Sequence, residues 1–193
     1  MARPSLFARL AKSVLVLLFR LSGWEVVGGP PEVRRCVIIG APHTSNWDFV
    51  RFMGVTEVLG VQPAFIGKHT LFRGAVGRFM REMGGIPVDR SSPADAVRQV
   101  TREFARRDDF MLVMSPEGTR GHVGRWKTGF YRIALAAGVP IIPGFLDHAN
   151  KRLGLGPAMM PSGDYEADMR HLVAFYSRYF PITLEQVLGG DTP

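Results

Sequence analysis

An α/β fold is what this sequence predicts: a layered sheet, mixed or mainly parallel, flanked by helices and preceded by an amphipathic helix. Three observations carry the prediction. Short apolar runs bounded by turn residues recur along the chain, the pattern of buried strands. Stretches with apolar side chains three and four residues apart separate them, the pattern of helices. A chain of 193 residues, 46% of them hydrophobic, is enough for one sizeable core. No internal repeat, low-complexity tract or domain linker interrupts it.

Residues 6–21 place Leu6, Leu10, Val14, Leu17 and Leu21 along one helical side, with Phe7 and Leu18 beside them. Arg9, Ser13, Val16 and Arg20 trace most of another side. The uncharged stretch from Ser13 to Phe19 is far short of the roughly 20 residues that span a bilayer. Arg20 and the bulky Trp24 break the outline of a cleaved signal peptide. Two readings stay open: a helix lying in the membrane interface with Trp24 as an anchor, or a helix packed on the protein's own core. The first is preferred. It divides the chain into an interface helix, 1–24, and an α/β domain, 25–193, the membrane element being at most one helix and a turn.

Pro30-Pro31 marks a turn before the first core strand, Cys36-Val37-Ile38-Ile39-Gly40. Residues 49–59 have helical spacing, and Ala64-Phe65-Ile66-Gly67 is a short strand. Residues 74–83 are helical, and Gly84-Gly85 precedes the strand Ile86-Pro87-Val88. That strand belongs at a sheet edge, because Pro87 has no N–H to donate. Ser91-Ser92-Pro93 reads as a cap followed by an N-terminal proline, opening a helix that runs to Arg107. Phe110-Met111-Leu112-Val113-Met114 is a buried strand. A basic, glycine-rich loop at 121–127 and a helix at 130–137, closed by Gly138, follow. Val139-Pro140-Ile141-Ile142-Pro143 is another short apolar segment, and the last clear helix covers 165–179.

Net charge is +7, carried by twenty Arg against four Lys. Such a surface draws nucleic acid, anionic lipid headgroups or a phosphorylated small molecule. Aromatic side chains are not interleaved with the arginines in a stacking pattern, which disfavours nucleic acid. The lone Cys36 excludes an internal disulfide and a cysteine-built metal site, and its apolar run makes it a core residue. No His-Glu-x-x-His pattern, nucleophile elbow or phosphate loop is present, so no metal and no resident cofactor is expected.

Ligand sites in α/β folds gather beyond the strand ends. Here four successive strands end in polar clusters: His43…Asp48, Lys68-His69, Asp89-Arg90 and Glu117-Gly118-Thr119-Arg120. Each helical residue turns about 100°, so side chains five apart on one helix diverge by about 140°. His43 and Asp48 can therefore meet only if His43 lies in the turn and Asp48 in the first turns of the helix. Paired so, His43 becomes a general base near neutral pH. The rival reading is a capping turn, with Thr44 or Ser45 as N-cap and Asp48 favoured by the helix dipole.

His43-x4-Asp48, Gly84-Gly85-Ile86-Pro87-Val88-Asp89-Arg90, Pro116-Glu117-Gly118-Thr119-Arg120 and Val139-Pro140-Ile141-Ile142-Pro143 follow one another in the order of four sequence blocks. In this, residues 36–145 resemble the glycerolipid acyltransferases, of the lysophosphatidic acid (1-acylglycerol-3-phosphate) type. The resemblance implies that His43 deprotonates an acceptor hydroxyl, which attacks an acyl thioester directly, with Asp48 orienting the imidazole. It implies that Arg90, Glu117, Gly118, Thr119 and Arg120, joined by Lys68, serve the acceptor's phosphate. It implies that Val139, Pro140, Ile141 and Pro143 serve the acyl donor. The chain departs from the family at Ser115, where an aromatic residue is usual, and at Pro87 and Val88. The implied partners are membrane lipids and acyl-CoA or acyl carrier protein, at the cytoplasmic face of the membrane. The rivals are another acceptor, a lyso-ornithine lipid or glycolipid, and a non-catalytic basic lipid- or nucleic-acid-binding module.

Overall fold

The computed structural model describes residues 5–43, 45, 47–89, 92–118 and 126–189. Along the chain run Leu6–Leu21 (α1), Glu25–Val27 (β1), Arg35–Ala41 (β2), Trp47–Val58 (α2), Ala64–Lys68 (β3) and a short 3-10 helix, His69–Phe72. Then come Gly74–Glu82 (α3), Gly85–Val88 (β4), Pro93–Arg106 (α4), Phe110–Met114 (β5) and Gly129–Ala137 (α5). Ile141–Asp147 (β6), Arg152–Leu155 (β7), Tyr165–Tyr176 (α6) and Leu184–Leu188 (α7) complete the chain.

Among the described residues, the strands form one sheet in the order β1-β7-β6-β2-β5-β3-β4. Every pairing is parallel except β6 with β7, so the sheet is mixed and mainly parallel. Because β2 through β6 share one direction, the loops after β2, β3, β4 and β5 collect at a single edge. Pro87 lies on β4, at the sheet's end, where a missing donor costs no ladder bond. Pro143 lies inside the sheet, on β6, opposite Ile39. Its carbonyl accepts from Gly156 N–H at 2.7 Å just past the end of β7, so its missing N–H falls where the ladder has stopped. The strand therefore runs on to Asp147, beyond the apolar segment expected from sequence.

Alternation along the strands separates two faces. Val37, Ile39, Leu112 and Ile141 point to the main core, packed by Phe104, Phe130, Met169 and Tyr176 from α4, α5 and α6. Cys36, Ile38 and Ile142 point to the other face, with Val113 and Leu155 against them. Cys36 is fully buried, and burial pushes its thiol up to about 12, which fits a packing role. The expected helix starts and stops are borne out locally. Ser92 accepts from Asp95 N–H ahead of Pro93, and Gly138 closes α5 in the left-handed conformation.

The N-terminal helix packs by a side other than its leucine stripe. Ala8, Val16 and Phe19 are buried, whereas Leu6, Leu10, Val14, Leu17 and Leu21 are each more than half exposed. Phe19 lies against Gly54 of α2, where an added Cβ would come 2.0 Å from the ring. Lys12 pairs with Glu57 at 2.9 Å, and Phe7 meets Phe79 of α3 edge-on. The helix therefore docks on the protein by Ala8, Val16 and Phe19 while the leucine stripe stays exposed, and Val16, placed with the polar side from its spacing, faces inward. No helix among the described residues is long and apolar enough to cross a membrane.

Candidate active site

His43 lies two residues past the end of β2, and Asp48 is the second residue of α2. The turn between them brings the side chains together. His43 Nδ1 lies 3.0 Å from Asp48 Oδ2. The aspartate is almost buried, its side chain 8% exposed, while the imidazole is one-third exposed. Asp48 Oδ2 also accepts the backbone N–H of Ser45 at 2.9 Å, and Trp47 N–H donates to Ser45 Oγ at 3.2 Å. The capping turn and the His–Asp pair are thus one structure. The cap builds the turn that the pair requires. With Nδ1 engaged by the carboxylate, Nε2 is the ring nitrogen left to take a proton.

Two contacts brace this turn, one from a residue expected in another role and one from Arg51, which the sequence motifs did not single out. Glu117 Oε2 accepts the backbone N–H of His43 at 3.0 Å. Its carboxyl group is buried, and that burial raises its pKa above the ordinary carboxylate value despite the favourable N–H. Glu117 was expected among the phosphate ligands, but its carboxylate is turned to the His43 backbone and does not line the cavity described below. Arg51, one helical turn beyond Asp48, holds Asp48 Oδ1 at 2.6 Å. Spacing of three residues on a helix could have pointed to that pair, since such residues are neighbours.

The His–Asp pair opens on a cavity of about 900 Å³, within the range of small-molecule sites. One limb runs between α2 and the second face of the sheet, lined by Phe49, Phe52, Val55, Leu59, Ile38 and Leu155. From Asp48 to Leu59 that is roughly 16 Å of helix at 1.5 Å per residue. Its floor is opened by Gly40 and Gly144, paired across β2 and β6. A Cβ on Gly40 would meet nothing within 4 Å. Ser115, where β5 ends, also lines the cavity, and its buried hydroxyl finds no hydrogen-bond partner among the described residues.

The remaining expected site residues divide. Gly118 lines the cavity with φ +75°, and an added Cβ would come 2.8 Å from the Lys127 stem, so glycine suits both backbone and neighbour. Lys127 and Arg132 line the cavity as cations that the motifs did not single out. Lys68 is exposed at the end of β3 and is not part of the lining. Val139 and Ile141 are core residues, and the cavity takes Gly144, Phe145 and Leu146 from β6 in place of residues 139–143. Arg90, Thr119 and Arg120 lie outside the described residues. Among the described residues, no three His, Cys, Asp or Glu side chains gather as a metal site.

A mainly parallel α/β sheet with a His–Asp pair at its strand-end edge, facing an apolar cavity, defines the class. A family model described as Acyltransferase matches residues 27–146, and the chain belongs to that family. The 1-acyl-sn-glycerol-3-phosphate acyltransferase of Streptococcus pneumoniae is 30% identical over 134 residues, 67% of this chain and 50% of that protein. A probable 1-acyl-sn-glycerol-3-phosphate acyltransferase of Mycoplasma pneumoniae is 27% identical over 199 residues, 94% of this chain and 71% of its own length. The chain spans about half the length of the first of these, and 51% of the Pseudomonas aeruginosa relative of the same name. The crystal structure of the 1-acyl-sn-glycerophosphate acyltransferase of Thermotoga maritima superposes with a TM-score of 0.58 at 20% identity, covering 87% of this chain and 75% of that one. That likeness concerns the fold.

Proposed function

We propose that the protein is an O-acyltransferase that moves a fatty acyl group from acyl-CoA or acyl carrier protein to the free hydroxyl of a lysophospholipid, 1-acylglycerol-3-phosphate before others. The observation that carries this reading is the 3.0 Å contact of His43 Nδ1 with Asp48 Oδ2 at the mouth of an apolar cavity. His43 Nε2 accepts the proton of the acceptor hydroxyl as its oxygen bonds to the thioester carbonyl carbon. Asp48 stabilises the imidazolium so formed. When the tetrahedral intermediate collapses, the C–S bond breaks and the imidazolium returns its proton to the departing thiolate. The acyl chain occupies the limb beneath α2, between Phe49, Phe52, Val55 and Leu59 and the sheet.

For the acceptor's phosphate, Arg90, Thr119 and Arg120 are proposed from the family pattern, with Gly118 allowing close approach and Lys127 adding a cation beside it. Lys68, exposed at the same edge, is assigned to the approach of an anionic headgroup rather than to its final seat. Glu117 is reassigned from ligand to brace, because a carboxylate opposes a phosphate. Val139, Pro140, Ile141 and Pro143 support the acyl limb from behind its wall.

The exposed leucine stripe of α1 supports attachment to a membrane surface, for which the cytoplasmic face is proposed, with anionic lipids drawn by the +7 charge. A second acceptor class is favoured by one observation. The Ser115 hydroxyl, without a hydrogen-bond partner among the described residues, would suit a lyso-ornithine lipid or glycolipid with a further polar group.

Labelled acyl-CoA offered with a panel of lysolipids, products read by mass spectrometry, tests both readings. Transfer to 1-acylglycerol-3-phosphate is expected, and its loss in a folded His43→Ala variant. Salt-dependent retention of DNA without any acyl transfer would favour the non-catalytic module instead.

A further inference from the structure

The segment that links α1 to β1 reaches the His–Asp pair. Trp24 is the third residue after α1, and the guanidinium of Arg51 lies 4.5 Å from the centre of its ring. The same guanidinium holds Asp48 Oδ1 at 2.6 Å, while the other oxygen of Asp48 holds His43 Nδ1 at 3.0 Å. The Trp24 ring packs perpendicular to that of His148, in the turn after β6, with ring centres 5.2 Å apart. Lys151 secures the same linker by a 3.4 Å bond from its Nζ to the Ser22 carbonyl, and its own carbonyl accepts Glu25 N–H at 2.9 Å.

Arg51 has little freedom in this arrangement. Its side chain is 17% exposed, stacked on an indole on one side and tied to a carboxylate on the other. An arginine so held has lost its rotamer choices before substrate arrives. An aspartate fixed by Arg51 on Oδ1 and by Ser45 N–H and the imidazole on Oδ2 has a defined orientation on each oxygen.

We propose that Arg51 and Trp24 are positioning residues for the proton transfer, a relay through which the segment behind the N-terminal helix sets the orientation of Asp48 and so of His43. The inference rests on His43 being the base. Neither residue needs to touch substrate for this role. Loss of either lets the carboxylate rotate, and the imidazole leaves its productive angle while both substrates still bind.

The test is a double-mutant cycle on the full chain, with acyl-CoA and 1-acylglycerol-3-phosphate as substrates. Arg51→Met and Trp24→Ala are each expected to lower kcat by about tenfold or more, with KM for both substrates changed by less than about threefold. Trp24→Phe, which keeps a ring beneath the guanidinium, and Arg51→Lys, which keeps a cation for Asp48, are expected to recover part of the loss. The double variant is expected to match Arg51→Met alone, because Trp24 acts only through Arg51.

Multiplied losses in the double variant overturn the relay. So does a wild-type kcat in Arg51→Met, or a loss confined to KM. If Trp24→Ala does not fold, the comparison of Trp24→Phe with Trp24→Leu in the same cycle decides the matter. His43→Ala distinguishes the two levels. Full turnover in that variant removes the catalytic reading together with the relay, whereas an inactive His43→Ala beside an active Arg51→Met removes the relay alone.

Discussion

Glu117 and Tyr176 hold the loop and the strand ends on which the His–Asp pair stands, and neither touches the cavity. Burial raises the Glu117 pKa, so the folded protein holds this proton more tightly than the unfolded chain does. Its contribution to stability is then greatest below the ordinary carboxylate range and declines as pH rises through the raised value. Glu117→Gln keeps an oxygen for the His43 N–H without the buried charge. Its melting temperature is expected to exceed that of the parent protein at pH 7.5, with the gap closing toward pH 4, as thermal scans at the two pH values will read. Tyr176 is fully buried, and its hydroxyl lies within 2.7 Å of the Ile39 carbonyl and 3.1 Å of that of Gly144. Those carbonyls belong to β2 and β6, one just before Gly40 and the other that of Gly144 itself, in the glycine pair that opens the cavity. Tyr176→Phe removes their buried donor and is expected to cost about 1–3 kcal/mol, several degrees in melting temperature for a chain of this size.

Among the elements, α2 has two tasks. Its first turn carries Asp48 and Arg51, and its length roofs the apolar limb of the cavity, which leaves Gly54 as the place where α1 can approach closely. The Phe19 ring fills that notch and is 3% exposed, with little room to yield. Gly54→Ala is therefore expected to destabilise the α1–α2 contact by about 1–3 kcal/mol through overpacking. Faster proteolytic cleavage within α1, together with a lower melting temperature, will register it. The short flanking elements were the ones that periodicity passed over. Glu25-Val26-Val27 and Arg152-Leu153-Gly154-Leu155 are too brief to show a period, and each becomes a strand because the other supplies its partner. Likewise, α7 is five residues held by a capping box at Thr183 and Gln186, a local signal too short to stand alone.

At the scale of the whole molecule, the leucine side of α1 and the surplus of arginine describe a protein with a surface to bury and a charge to direct it. Each leucine taken from water contributes about 1.5–3 kcal/mol, so replacing two of them with acid removes most of such an attachment. Leu10→Glu combined with Leu17→Glu is expected to weaken co-sedimentation with anionic phospholipid vesicles by tenfold or more. Under the proposed function, acyl transfer to substrates dispersed below the vesicle-forming range is expected to be unchanged in the same variant. Raising the salt concentration should weaken vesicle binding of the parent chain as well, because charges on exposed arginines are screened.

From the linear chain alone came the α/β class, the edge position of Pro87, the helix ends at Ser92 and Gly138, the His43-x4-Asp48 pair and the family likeness. Each of these is written in neighbouring residues: a period, a proline, a cap, or two side chains that a single turn can bring together. Tertiary structure alone decided that Glu117 turns back to the His43 backbone, that Trp24 covers Arg51, and that Gly40, Gly144 and Ser115 border one cavity. It also decided which side of α1 packs inward, since a leucine stripe is equally suited to a core or to a membrane. Those placements depend on contacts between residues from 27 to more than 100 positions apart, and on the order in which parallel strands assemble, which no local pattern encodes.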